Sequence, residues 1–102
     1  MELKAGARLK SVADSTEVVV VKVPSDAVDL RCGGHPMVPI DADAAGAASV
    51  EAGLDEGTQV GKRYADEATG IELLCTKAGQ GTLSLGTDPL PIKGAKPLPS
   101  SD

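Results

Sequence analysis

The sequence predicts an all-β fold: a small antiparallel, barrel-like β domain made of two hairpin-based pseudo-repeats. Three observations lead there. Two aliphatic runs, 17–22 and 72–77, each begin with glutamate and end with lysine. Each is followed by a short stretch with matched residues, so that Leu30, Gly33, Pro36 and Met37 correspond to Leu83, Gly86, Pro89 and Leu90. Turn chemistry separates the runs, at Ala13-Asp14-Ser15, Pro24-Ser25-Asp26, Gly33-Gly34 and 66–70, where short polar side chains and glycine favour reversals over regular structure.

Taken in order, Arg8-Leu9-Lys10-Ser11-Val12 alternates polar and apolar, the pattern of a half-buried strand. The unbroken valines 18–21 follow, and their β-branched density makes a strand that should be buried on both faces. Val28-Asp29-Leu30-Arg31-Cys32 alternates strictly, with Val28, Leu30 and Cys32 on one face, and reads as the hairpin partner of the valine strand. Gly33-Gly34 ends it, and Pro36 and Pro39 disfavour a helix or long central strand beyond. These residues make a first β unit, 1–40. Segment 41–60 is rich in Ala, Gly and acidic residues with no basic residue, and reads as a mobile linker with a short helix conceivable over 44–54. A second β unit, 61–92, places Ile71, Leu73 and Cys75 on one face of a strand that returns through Gly79-Gln80-Gly81 into Thr82-Leu83-Ser84-Leu85. The end, 93–102, is rich in Pro, Ser and Lys and is expected to be extended.

Composition excludes several functions. The net charge of -5 has the wrong sign for gripping phosphate backbones. Tyr64 is the single aromatic residue, so stacking platforms for single-stranded nucleic acid are missing, and so is the lining of a deep aromatic pocket. The longest purely apolar run is 18–21, far short of a membrane span, and the start of the sequence has no apolar core of the kind a signal peptide needs. Two cysteines, Cys32 and Cys75, are too few for a secreted disulfide framework. A cytoplasmic setting is the expectation, with neither nucleic acid nor membrane as partner.

Tyr64, Gly70, the run 71–74, Gly79-x-Gly81-Thr82-Leu83 and Gly86 fall in the order of a known pattern, and Cys32-Gly33-Gly34-His35-Pro36-Met37 falls near its ending. On these residues the chain resembles desulforedoxin and the desulforedoxin-like domain of superoxide reductases, short iron-binding β domains. The resemblance implies a small β scaffold, and because desulforedoxins are two-chain assemblies, it implies both halves held in one polypeptide. The family's metal cysteines are mostly replaced: Asp66 and Thr69 stand at the first knuckle and Ser84-Leu85 at the second pair. A tetrathiolate iron centre needs four sulfurs and this chain has two cysteines.

Three kinds of chemistry remain. Cys32 and His35 have zinc-ligand spacing, and Cys75 would supply a third ligand, which makes zinc or iron the alternative cofactor to none. Cys32 and His35 could also form a thiol–imidazole pair, but no orienting third group is evident, and the sequence leans against an enzyme. Asp41-x-Asp43-x-x-Gly46 lacks the oxygen ligands a calcium loop requires further on. The leading expectation is a non-catalytic accessory or interaction protein, a small subunit or assembly factor of a larger enzyme. Its contact residues would be Gly33, Gly34, His35, Pro36 and Met37, with His35 at the tip of the turn. An exposed edge of the valine strand or the proline-rich end offers further docking surface, and a homo-oligomer is compatible with the same features.

Overall fold

The computed structural model describes residues 3–42 and 48–93. The expected helix over 44–54 falls partly outside these, and residues 48–54 are not helical; the tail beyond Lys93 lies outside them too. Nine short strands form among the described residues: β1 (Arg8–Lys10), β2 (Glu17–Lys22), β3 (Leu30–Cys32), β4 (His35–Pro36), β5 (Val38–Pro39), β6 (Arg63–Ala65), β7 (Glu72–Lys77), β8 (Leu83–Leu85) and β9 (Asp88–Pro89). No helix occurs among the described residues. The fold is all-β, in two antiparallel sheets ordered β5-β1-β2-β7-β6 and β4-β3-β8-β9. Neither sheet closes on itself, so the expected barrel-like closure gives way to two open sheets sharing one core.

The expected pairing of β2 with β3, and of β7 with β8, is not what forms. β2 is bonded on both sides, by β1 and β7, which leaves it no edge for β3 and no exposed edge for docking. The chain leaves β2 through Pro24 and crosses to the other sheet, where β3 pairs with β8 and the hairpin β3–β4 turns at Gly33-Gly34. Likewise β8 leaves β7 and pairs with β3 and β9. The hydrophobic period identified each strand, but a period does not name the partner. The seam between the halves is β2–β7 in one sheet and β3–β8 in the other.

Registers match between the halves. Across the first seam Glu17 faces Lys77, Val18 faces Cys75, Val19 faces Leu74, Val20 faces Leu73 and Lys22 faces Glu72. Exchanging each residue for its counterpart returns the same set of pairs, centred on Val19 and Leu74. Backbone bonds correspond as well: Gly6 N–H and Gly61 N–H each donate into the neighbouring strand, to Val20 O and Cys75 O, both at 2.8 Å. Met37 N–H donates to Leu30 O at 3.1 Å, and Leu90 N–H to Leu83 O at 2.8 Å. The turns differ in one respect. Gly33 and Gly34 both have positive φ (66° and 91°), as a two-residue primed turn requires, whereas Gly86 (φ 60°) is followed by Thr87, which does not.

The core is built from both sheets: Leu9, Val18, Val20, Leu30, Cys32, Met37, Tyr64, Ile71, Leu73, Cys75, Leu83 and Leu90 form one cluster. The valine run is buried on one face only. Val18 and Val20 are 1% exposed, while Val19 and Val21 are half-buried on the outer face. An antiparallel sheet packed on a single side alternates in this way. Both outer strands of the four-stranded sheet carry a proline, Pro36 in β4 and Pro89 in β9.

The described part of the 41–60 segment is tied to both halves. Glu51 N–H donates to Gly33 O at 2.9 Å, Thr58 N–H to Gly79 O at 3.0 Å, and Leu54 O accepts Thr82 N–H at 2.9 Å. Packing energetics follow from the core list. Leu73→Ala, at the centre of the cluster, is expected to cost about 2–5 kcal/mol, while Val19→Ala on the half-buried outer face costs less. Urea midpoints of the two variants check this, and equal losses would place the core on the wrong side of β2.

Candidate functional site

A polar network that takes in Cys32 is centred on Asp14 rather than on the Cys32-to-Met37 turn. Asp14 lies in the β1–β2 turn, where the Ser11 hydroxyl oxygen accepts the N–H groups of Ala13 and Asp14 and fixes the reversal. Its carboxylate accepts the Thr16 N–H at 3.2 Å, the Thr16 hydroxyl at 2.9 Å and the Gly81 N–H, and it takes the Cys32 thiol at 3.7 Å. The Thr16 and Thr58 hydroxyls lie 3.1 Å apart, and Thr58 Oγ1 accepts the Gly79 N–H at 2.9 Å. One turn thus joins the first half, the connecting segment and the second half. Gly79 and Gly81 are required there, since a Cβ on Gly79 would sit 2.4 Å from Asp14 Oδ2 and one on Gly81 would sit 2.8 Å from Gly33 N. No buried side-chain nitrogen or oxygen among the described residues is left without a partner.

Electrostatics at Asp14 oppose one another. Partial burial favours the neutral acid, but the hydrogen bonds from Ser11, Gly81 and Thr16 outweigh it and hold the carboxyl below its ordinary value of 3.8. For the thiols burial wins. It pushes Cys32 up to about 12, with the neighbouring Asp14 charge adding to the effect, and it raises Cys75 as well. A protonated thiol is a poor nucleophile and a poor metal ligand.

The three residues expected to share a metal point to different partners. The Cys32 thiol faces Asp14, the Cys75 thiol donates to Lys77 O at 3.3 Å, and His35 Nε2 is 2.8 Å from Ser49 O. A carbonyl only accepts, so that bond places the hydrogen on Nε2. Glu51 Oε2 lies 3.8 Å from the same nitrogen. Among the described residues no group of three or more His, Cys, Asp or Glu side chains could hold a metal ion. As placed, Cys32, His35 and Cys75 do not form one ligand set of the kind zinc or a thiolate iron centre needs.

The turn itself is largely covered. Gly33, Gly34 and Met37 are buried, His35 is partly buried, and Pro36 is exposed. A Cβ on Gly34 would sit 2.5 Å from the Glu51 side chain, so the connecting segment lies directly over the turn. Its counterpart in the second half, Thr87-Asp88-Pro89, is exposed.

A second charged site went unread in the sequence. Glu72 alternates into the outer face of β7, yet its side chain is 2% exposed. Three cations cover it: Lys93 Nζ at 2.7 Å, Arg63 Nη1 at 3.1 Å and Lys22 Nζ at 4.0 Å. These side chains are about half exposed themselves. Glu72 is thus capped at the surface rather than sunk in the core. The Lys93 hydrogen bond first, then the Lys93 charge, the Arg63 hydrogen bond and the Lys22 charge, outweigh desolvation and hold its carboxyl below the ordinary value.

The surface depressions described are partly open to solvent. The roomiest described, ≈ 840 Å³ between 65–68 and 91–93, has neither cysteine nor His35 in its lining. Among the described residues no helix is long and apolar enough to cross a membrane. In comparisons with known proteins, no family model, no curated protein and no solved structure matches the chain.

Two measurements check this geometry. Asp14's folded-state value is depressed, so the unfolded chain binds more protons and the group stabilises the fold above pH 3.8, an effect lost as pH falls further. Asp14→Asn is expected to flatten that acid limb and to lower stability at neutral pH by about 1–3 kcal/mol, because an amide turns donors toward donors. Denaturant midpoints from acid to neutral pH decide it. The thiols should resist a disulfide reagent in the native protein at neutral pH, and both should react once denaturant is added; rapid native reaction at Cys32 would contradict its burial.

Proposed function

We propose that the chain is a non-catalytic accessory protein that acts by binding another protein, as a small subunit or assembly factor of a larger enzyme. One observation carries this reading: the side chains capable of chemistry are engaged by other groups of the chain. Asp14 takes donors from three segments, Cys32 donates to it, Cys75 donates to a backbone carbonyl, and His35 is held by Ser49 O. The roomiest of the depressions described has none of these side chains in its lining, so they are not gathered around a substrate-sized cavity there. Two protonated, hydrogen-bonded thiols suit a reducing, cytoplasmic setting. The matched registers support reading the halves as one unit used twice, which is the arrangement implied by the resemblance to two-chain desulforedoxins.

Two experiments test it. The full chain purified without chelator is expected to contain no stoichiometric zinc or iron. A full equivalent that disappears in Cys32→Ser would replace the interaction reading with a metal-binding one. Tagged full chain recovered gently from its own cells is expected to run as a complex of constant stoichiometry by light scattering. Recovery as a lone monomer at native abundance would sink the proposal.

A further inference from the structure

The two halves present matching clefts on the outer face of the five-stranded sheet, and the difference between them indicates a ligand. In the second half the cleft is lined by Lys22, Glu72 and Lys93, together with Asp66 and Glu67. Its carboxylate is satisfied from within, by Arg63 at 3.1 Å and Lys93 at 2.7 Å. In the first half the corresponding cleft, ≈ 260 Å³, is lined by Arg8, Glu17, Ile40, Thr76 and Lys77. The counterparts follow from backbone pairing. Arg8 faces Val19 as Arg63 faces Leu74, Glu17 faces Lys77 as Glu72 faces Lys22, and Ile40 N–H donates to Arg8 O as Lys93 N–H donates to Arg63 O.

Two differences separate the clefts: Asp66 and Glu67 line only the second, and the residue beside the arginine changes. Ile40 stands where the second half has Lys93, so an apolar wall replaces the cation that clamps Glu72. Glu17 is correspondingly looser, with Lys77 at 3.9 Å and a side chain 30% exposed. Arg8 forms no ion pair among the described residues and is exposed. The first cleft thus holds two cations against one carboxylate, and one further carboxylate would balance it. The second cleft is already balanced, three cations against three acids.

We propose that the Arg8 cleft binds a glutamate side chain of a partner protein, with its carboxylate on Arg8 and Lys77 and its methylenes against Ile40. Glutamate is the choice because the equivalent guanidinium in the same chain already holds one. An arginine fork and a carboxylate make a charge-assisted pair of defined geometry. The cleft is smaller than the ≈ 300–1,000 Å³ sites that enclose drug-sized molecules, which suits a single side chain delivered on a peptide. The inference rests on the interaction reading above and names the chemistry of the contact.

The test is a titration of the isotope-labelled full chain at low salt with the peptide acetyl-Ala-Glu-Ala-amide, followed by backbone and arginine side-chain resonances. Saturable shifts centred on Arg8, Ile40, Thr76 and Lys77 are expected, weakened by added salt. The glutamine version of the peptide should produce none. Arg8→Gln should lower affinity on the order of tenfold while leaving the rest of the spectrum in place. Shifts centred on Lys62 or Lys4, binding unchanged in Arg8→Gln, or no saturable shift would each overturn the assignment. Response to inorganic phosphate but not to the peptide would overturn the glutamate identity. If a partner complex is captured and Arg8→Gln leaves its affinity intact, this inference fails while the accessory function stands.

Discussion

The pairing of β2 with β7 is the constraint on which the molecule depends. Each half contributes only short strands, and a two-stranded hairpin is marginal by itself in water. Joining the six-residue strands Glu17–Lys22 and Glu72–Lys77 makes a five-stranded sheet from two incomplete ones. It also brings Val18, Val20, Leu73 and Cys75 onto one buried face. The β3–β8 pairing does the same for the second sheet, with Leu30, Cys32 and Leu83 turned inward. With one tyrosine as the sole aromatic contributor, area must come from many small aliphatic side chains, and the two-sheet arrangement lets them meet in a single cluster.

Polar bonding at the margin of that core completes the joint. Asp14 accepts from the turn it belongs to, from Thr16, from the Gly81 backbone and from the Cys32 thiol. Thr58 extends the network into the segment between the halves. The carboxyl's value stays below the ordinary one despite partial burial, while burial first, and the Asp14 charge in addition, keeps the neighbouring thiol protonated. Structure and reactivity are coupled here: the packing that closes the core silences Cys32, and the carboxylate that secures the loops adds to it.

The strand positions were legible because their cues are local. The Glu-to-Lys spacing of 17–22 and 72–77 even contained the two cross-strand pairs, Glu17 with Lys77 and Lys22 with Glu72. Gly6-x-Arg8 and Gly61-x-Arg63 are a further sequence signal of the same correspondence, fainter than the proline-containing turns. Partner choice was not legible, because β2 bonds to β7 across a separation that no pattern window spans. Asp14 read as an ordinary turn residue for the same reason, since its decisive donor, the Gly81 N–H, comes from the other half. The burial of Glu72 was hidden by phase: its position alternates outward, and only the convergence of Lys22, Arg63 and Lys93 covers it.

Pro36 and Pro89 occupy the two flanks of the four-stranded sheet. A proline offers no amide hydrogen, so each flank has a gap in the row that an incoming strand would need. The consequence concerns growth: this sheet cannot readily be extended by another copy from either side.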